Sequence, residues 1–330
     1  MADRIVTLSE LREAQKRIYT GTLAVYKTPL LQHAQNILPA LSSSLDLYLK
    51  LESMQITGSF KLRGIANQFL FLSEEVKTGA KQPITMSAGN YGKAYAYALN
   101  TLGLRGMCLM PDTAPQDRVE IIKNYGTVVE RVPRSDLQSA IEKHVEEDGY
   151  VFCHSYDDYN LIAGYGSAGL EIVDEGIVPD IVLVCCGGGG LVSGVAAAIK
   201  LSGLNQCKVY AVEPMGAPTM FESFRQGHPV AMDVKTVAAG LAPPCAGNIT
   251  YSHCRKFVED VILVSDKDIV EAVRILYQAG LVVEPSGAAA IAALVSGRVP
   301  DVAGKKVVAF ITGRNIPPNE LLKLVSDPPK

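Results

Sequence analysis

The sequence predicts an α/β fold built on largely parallel sheets. Three observations carry that prediction. Short apolar runs of strand length alternate with helical stretches along the chain. Most of those runs are continuously apolar, as strands covered on both faces are. Several of the loops that follow them are rich in Gly, Ser, Thr and Asn, and open α/β sheets bind ligands at the carboxyl ends of their strands.

The elements follow in chain order. LDLYLKLE (Leu45–Glu52) alternates with period two and predicts the first strand. MCLMP (Met107–Pro111), TVVERV (Thr127–Val132), IVLVCC (Ile181–Cys186), KVYAVEP (Lys208–Pro214) and KVVAFIT (Lys306–Thr312) predict short, buried-type strands. Between them YGKAYAYALNTLG and DLQSAIEKHVEEDG predict helices, and TAPQDRVEIIKNYG a helix opened by a proline turn. The last stretch, LVSDPPK, reads as loose.

Composition bounds the function. A chain of 330 residues, 48% of them hydrophobic, can bury a sizeable core in two modest domains or one large one. Lys and Arg number 31 against 34 Asp and Glu, a net charge of −3 with no block of like charge, which argues against nucleic acid or an anionic membrane as partner. The opening MADRIVTLSELREAQKRI has no apolar run suited to a signal peptide. The long uncharged run from Ile181 to Ile199 holds four consecutive glycines, which suit a strand–loop–helix better than a membrane span. The seven cysteines are odd in number and read as reduced thiols in a cytoplasmic protein. No Cys/His spacing resembles a zinc site.

Four stretches carry chemistry. In CCGGGGLVSG a strand ends at Cys186, glycines 187–190 turn, and a helix begins near Leu191. Bare backbone N–H groups at a helix N-terminus cradle phosphate; the alternative is a tight turn with close packing. In ITGSFKLRG, Lys61 stands among small and apolar residues at a helix start, where desolvation favours the neutral amine that forms Schiff bases; the alternative is an ordinary lysine. In TMSAGNYG, Ser87, Ala88, Gly89 and Asn90 form a loop able to bind a carboxylate, or simply a capped helix start. AFITGRN ends a strand at Thr312, whose hydroxyl points into the same crevice unless it only serves the turn. Glu213, closing KVYAVEP, keeps an NAD-linked dehydrogenase open, although the glycine spacing fits that reading poorly.

Taken together and in order, KTPLL (Lys27–Leu31), SFKLRG, SAGNYG, IAGYGSAGLEI, GGGG, EPSGAAA and TGRN resemble the fold-type II pyridoxal-phosphate enzymes, in the branch of the threonine/serine dehydratases and serine racemases. The resemblance covers nearly the whole chain. It implies two parallel-sheet α/β domains with pyridoxal 5'-phosphate in the cleft between them: a large domain from residues 1–78 and 151–330, and a small one, 79–150, inserted in it. It implies that Lys61 carries the cofactor, that Phe60 packs beside it, and that Gly187, Gly188, Gly189 and Gly190 hold its phosphate. Asn90 would meet the ring hydroxyl and Thr312 the pyridine nitrogen, with Glu284 of EPSGAAA also among the cofactor contacts. Ser87, Ala88, Gly89, Asn90 and Tyr91 would bind the substrate, and Lys61 and Ser87 would be catalytic.

The activity so implied is elimination from an L-3-hydroxy amino acid of the threonine or serine class to a 2-keto acid and ammonia, by a homodimer or homotetramer. Related activities are elimination from 3-hydroxyaspartate or phenylserine, and racemisation of serine or aspartate; a non-catalytic binding protein is a further class. Three departures bear on the choice. Racemases of the branch have serine where this chain has Ala88, as the dehydratases do. The residue after the asparagine is commonly His and here is Tyr91. A structural Mg²⁺ or Ca²⁺ would draw on Glu213 and the carbonyl of Ala217, but the second acid of that set is Thr219. Fewer than twenty residues follow TGRN, so a regulatory domain is not expected there. Asp157 and Asp158 read either as a substrate-selecting pair or as a solvated acidic turn.

Overall fold

The computed structural model describes residues 4–41 and 44–326. Among these residues ten strands form two sheets. The larger contains β1 (Leu30–Leu31), β2 (Asp46–Lys50), β7 (Ile181–Cys185), β8 (Lys208–Pro214), β9 (Asp260–Val264) and β10 (Lys306–Phe310), in spatial order β1-β2-β10-β7-β8-β9. All its pairings are parallel except that of the short β1 with β2. The smaller contains β3 (Pro83–Met86), β4 (Met107–Pro111), β5 (Val128–Val132) and β6 (Val151–Phe152), in order β5-β4-β3-β6 and wholly parallel. β6, a strand of this smaller sheet, occupies the two residues directly after the boundary at 150 that the sequence suggested.

The helices are α1 (Leu8–Thr20), α2 (Lys61–Leu70), α3 (Glu74–Lys77), α4 (Asn90–Leu102), α5 (Gln116–Asn124), α6 (Leu137–Glu146), α7 (Tyr159–Asp174), α8 (Gly190–Leu201), α9 (Thr219–Gln226), α10 (Asn248–Phe257), α11 (Asp266–Gln278), α12 (Pro285–Val295) and α13 (Pro318–Ser326). One core cluster joins α1, α2, α7, α8 and α10 to one face of the large sheet and to α4. A second packs α11 and α12 on the other face. Helices thus cover both faces, as expected for parallel strands that are apolar throughout. Of LVSDPPK, the first three residues end α13, and residues 327–330 lie outside the described residues.

Two strand readings need correction. β2 was expected to alternate, but Leu47, Tyr48, Leu49 and Lys50 are all buried, because β1 and β10 flank it and both its faces are covered. β5 was expected to be buried; it is an edge strand, and Val128 is 56% exposed. Sequence patterning gave no separate signal for β1, β3, β6 or β9.

Buried charges fix where α2 begins. Arg63, in its first turn, donates to Glu52 at 2.7 and 2.9 Å and to Glu171 at 2.5 and 3.0 Å. Lys50 pairs with Glu171 and donates to the Thr28 carbonyl at 2.6 Å. Thr28 and Ser167 complete the shell, and the Tyr19 hydroxyl donates to Glu171. Two acids and two bases thus neutralise one another out of water. Removing one partner leaves an uncompensated buried charge, which costs about 3–5 kcal/mol. Arg63→Met is therefore expected to lower the unfolding free energy by about that amount in a denaturant titration; a loss below about 1 kcal/mol would contradict the account.

Candidate active site

The site forms where the turn before α2 meets the end of β10. Ser59 bridges Gly313 in antiparallel fashion, the Phe60 amide donates to the Thr312 carbonyl at 3.2 Å, and the Arg314 amide donates to Gly58 at 2.9 Å. Gly58 has a φ of +78°, and a Cβ there would meet the Asn315 side chain at 2.4 Å, so glycine is needed for both reasons. These contacts put Lys61, the first residue of α2, beside Thr312.

Among the described residues the Lys61 amine has one hydrogen bond, a long one of 3.3 Å to the Ser155 carbonyl. Around it stand the rings of Phe60, Tyr165 and Tyr91, with centroids 4.9, 5.7 and 5.8 Å away. Burial lowers its pKa to about 8, with the Glu284 carboxylate acting in the opposite direction. A sizeable fraction of the amine is therefore neutral near physiological pH.

The glycine run opens α8 as expected, with Gly190 the first helical residue. The Cys186 amide still belongs to the sheet, donating to Val212. The amides of Gly187, Gly188 and Gly189 have no acceptor among the described residues. Gly189 has a φ of +92°, and a Cβ on it would strike Met220 and Thr250. The Tyr156 ring packs on Gly188, where a Cβ would lie 2.3 Å from it.

Ser87 precedes α4, and its Oγ accepts from the Gly89 and Gly92 amides at 3.3 and 3.0 Å. The serine thus caps the helix start and keeps its own proton to donate. The amides of Ala88, Asn90 and Tyr91 have no acceptor among the described residues. Asn90 donates to Glu284 and accepts from Asn315 at 2.7 Å, and Lys93 donates to Asn315 at 2.7 Å. Burial raises the Glu284 carboxyl to about 7, against the pull of Asn90, Arg118 and Lys93. Tyr91 is buried and donates to Gln68 at 2.6 Å. The Thr312 hydroxyl lies 3.3 Å from the Ser286 carbonyl.

Pyridoxal phosphate fits these residues. An under-partnered, half-buried amine, three free glycine amides and a buried hydroxyl are complements to an aldehyde, a phosphate and a ring nitrogen. Lys61 would hold its carbonyl carbon, Gly187–Gly190 its phosphate, Thr312 its ring nitrogen, and Asn90 with Glu284 its hydroxyl edge, with Phe60 alongside.

A hard cation does not fit its expected residues. Glu213 is fully buried, and its two oxygens accept from the Met220 and Phe221 amides, each at 2.9 Å, capping α9. Thr219 adds a third donor at 3.3 Å. Ala217 is buried in the turn between β8 and α9. Among the described residues no three His, Cys, Asp or Glu side chains gather as a metal set. The same burial removes the support that Glu213 lent to an NAD-linked dehydrogenase. The Asp157 and Asp158 readings are corrected too. Asp157 accepts from the Asn248, Ile249 and Thr250 amides and caps α10, while Asp158 caps α7 through the Leu161 amide at 2.7 Å.

Sequence reasoning missed Tyr156, Tyr165, Ser155, Ser286 and Lys93. Tyr165, Ser286 and Asn315 lay within the quoted IAGYGSAGLEI, EPSGAAA and TGRN, and those motifs were the available signal.

The comparisons agree with this geometry. The sequence profile of the family described as pyridoxal-phosphate dependent enzyme matches residues 21–313. An L-threonine ammonia-lyase of Thermotoga maritima is 33% identical over 326 residues, 98% of this chain and 79% of that protein. A catabolic L-threonine dehydratase of Staphylococcus aureus is 35% identical over 321 residues, 94% and 90% of the two chains. The crystal structure of serine racemase from Dictyostelium discoideum superposes with a TM-score of 0.83 at 31% identity, covering 94% of this chain and 99% of that one. With its half-buried lysine, its free glycine amides and this match over most of its length, the chain belongs to the pyridoxal-phosphate dependent enzyme family.

Proposed function

We propose that this protein is a dehydratase, an ammonia-lyase that converts an L-3-hydroxy amino acid of the threonine or serine class to a 2-keto acid and ammonia. The observation that carries the reading is the Lys61 amine, held partly neutral in a site whose loop amides lack acceptors among the described residues. The similarity to threonine ammonia-lyases over nearly the whole chain supports it. The homodimer or homotetramer and the cytoplasmic location expected from the sequence belong to the same proposal; no helix among the described residues is long and apolar enough to cross a membrane.

Pyridoxal phosphate, when bound, withdraws electrons from the α-carbon of an amino acid joined to it. The protein's part is placement and proton transfer. The free amides of Ala88, Asn90 and Tyr91, with the Ser87 proton, hold the α-carboxylate at the start of α4. The Lys61 amine, once free, takes the α-proton. A neutral hydroxyl at Thr312 does not fix a proton on the ring nitrogen as a carboxylate would, which favours prompt departure of the β-hydroxyl. The enamine released then hydrolyses to the keto acid and ammonia.

Ala88 supports elimination over racemisation. Racemisation needs proton donors on both faces of the α-carbon, and Lys61 serves one. Ala88 lines the cleft with a methyl group, which cannot move a proton.

Three outcomes follow. Lys61→Ala is expected to lower keto-acid release from L-threonine or L-serine at least about a thousandfold, since nucleophile and base go together; near-normal release would overturn the mechanism. Only a neutral amine captures an aldehyde, so apoprotein mixed with pyridoxal phosphate should bind it faster as pH rises toward 8 and level off above. A rate still climbing at about pH 10, as for an ordinary lysine, would contradict the depressed pKa. Ala88→Ser should raise D-serine formed from L-serine relative to pyruvate, measured by chiral chromatography. Abundant D-serine from the unmodified protein would point instead to a second base already present.

A further inference from the structure

No carboxylate lies within 4 Å of the Lys61 amine among the described residues, and its one hydrogen bond goes to a neutral carbonyl. Its close surroundings are aromatic instead. The amine sits over the rings of Phe60, Tyr165 and Tyr91, at 4.9, 5.7 and 5.8 Å from their centroids. All three distances fall within the range of about 6 Å in which a ring face attracts a cation. The rings come from three parts of the chain: Phe60 precedes the lysine, Tyr91 lies in α4 and Tyr165 in α7.

The tyrosine rings are held in place. Tyr165 is fully buried and stands edge-on to Phe60, with centroids 4.9 Å apart. Two glycines leave room for it: a Cβ on Gly64 would come within 2.4 Å of the ring, and one on Gly190 within 3.2 Å. Its hydroxyl is buried without a hydrogen-bond partner among the described residues, so what the residue supplies there is its ring. Tyr91 stacks on Tyr95 at 6.3 Å, and its hydroxyl donates to Gln68, which donates to the His154 carbonyl at 3.2 Å. Burial pushes both phenols well above the usual tyrosine range, so the rings stay neutral. Three titratable groups stand around them. Glu284, at the N-terminus of α12, acts on the amine from beyond ion-pair distance. His154, between β6 and α7, is pressed toward its neutral form by burial. Asp158, at the start of α7, acts on both tyrosines, and burial raises its own carboxyl.

We propose that Phe60, Tyr91 and Tyr165 form an aromatic box that holds the free Lys61 side chain as its ammonium, the form it takes on receiving the α-proton. In that transfer the Cα–H bond breaks, an N–H bond forms, and the electron pair stays with the substrate carbon. Burial alone favours the neutral amine. The ring faces oppose it, and they receive the new positive charge without offering a base that would take the proton away. Both forms of the amine are then within reach, as a group that is nucleophile and base in turn requires. The three aromatic residues act through Lys61, as positioning residues. The proposal rests on the reading of Lys61 as the base in the elimination and deepens it.

Competitive acetylation of the full-length, cofactor-free protein from about pH 6 to about pH 11, quantified on the Lys61 peptide by mass spectrometry, reads the fraction of that amine which is neutral. Tyr165→Leu and Tyr165→Met remove the ring and keep the position apolar, so the midpoint should fall by at least about half a pH unit. Tyr165→Phe keeps the ring face and should hold the midpoint within about 0.2 of the unmodified value. Phe60→Leu, at a half-buried position, should lower the midpoint as well and serves if the Tyr165 variants do not fold. In the holoenzyme the non-aromatic variants should lower kcat for L-threonine by about threefold or more, with KM little changed and a larger α-deuterium isotope effect on kcat. Midpoints that stay or rise in the non-aromatic variants would overturn the proposal, as would a Tyr165→Phe midpoint that falls as far as theirs, or a kcat that stays while the midpoint moves. An unmodified holoenzyme that releases no keto acid from L-threonine or L-serine would overturn the elimination reading, and with it the box's part in proton transfer, while the labelling result would stand.

Discussion

Arg63 and Lys50 share the carboxylates of Glu52 and Glu171 in a place water does not reach. Taking four charges out of water is expensive, and their mutual attraction repays it only where the geometry is close. The cluster therefore works mainly as a constraint. It ties α1 through Tyr19, the segment before β1 through Thr28, and α7 through Ser167 to the first turn of α2. Burial alone would raise the Glu52 carboxyl, but Arg63 and Lys50 outweigh it and hold the pKa below the ordinary value. A carboxyl depressed in the folded state stabilises the fold above its unfolded pKa, and that contribution is lost as pH falls through the folded value. Lys61 lies two residues before Arg63, with the Ser59–Gly313 bridge on its other side. The amine is thus fixed between an ion cluster and the end of a strand.

Polar satisfaction differs sharply over that short distance. In the ion cluster every charge has several close partners. Among the described residues a single long bond remains at Lys61, and the amides of Gly187, Gly188 and Gly189 and of Ala88, Asn90 and Tyr91 have no acceptors. Buried polar groups are ordinarily paired, so a concentration of unpaired donors marks the place where a ligand completes them. The Lys93–Asn315–Asn90–Glu284 chain of hydrogen bonds links the small sheet's helix α4 to the large sheet's α12 across the same place.

Much of this was legible in the sequence because the relevant signals are local. Four glycines after an apolar strand, a lysine bordered by small and apolar residues, and a threonine at a strand end each announce themselves within a few residues. Other features depend on distant chain segments. Arg63 and Glu171 are separated by 108 residues, and nothing near either shows that they pair. Tyr165 reads as a core residue of α7, and only the packing of α7 on α2 brings its ring to Lys61. Glu213 closes its strand with no local sign of a partner until α9 places its amide groups over it, and Asp157 looks like part of an acidic turn until α10 arrives from some ninety residues away. β5 fooled its composition for a related reason: edge position is a property of the sheet.

The central claim is that Lys61 is the residue joined to pyridoxal phosphate. Borohydride reduction of the holoprotein converts such a linkage to a stable secondary amine, which peptide mass spectrometry then locates. The account predicts a pyridoxyl group on the peptide containing Lys61 and its loss in Lys61→Ala. A label on a different lysine, or none on a protein that retains the cofactor, would contradict it.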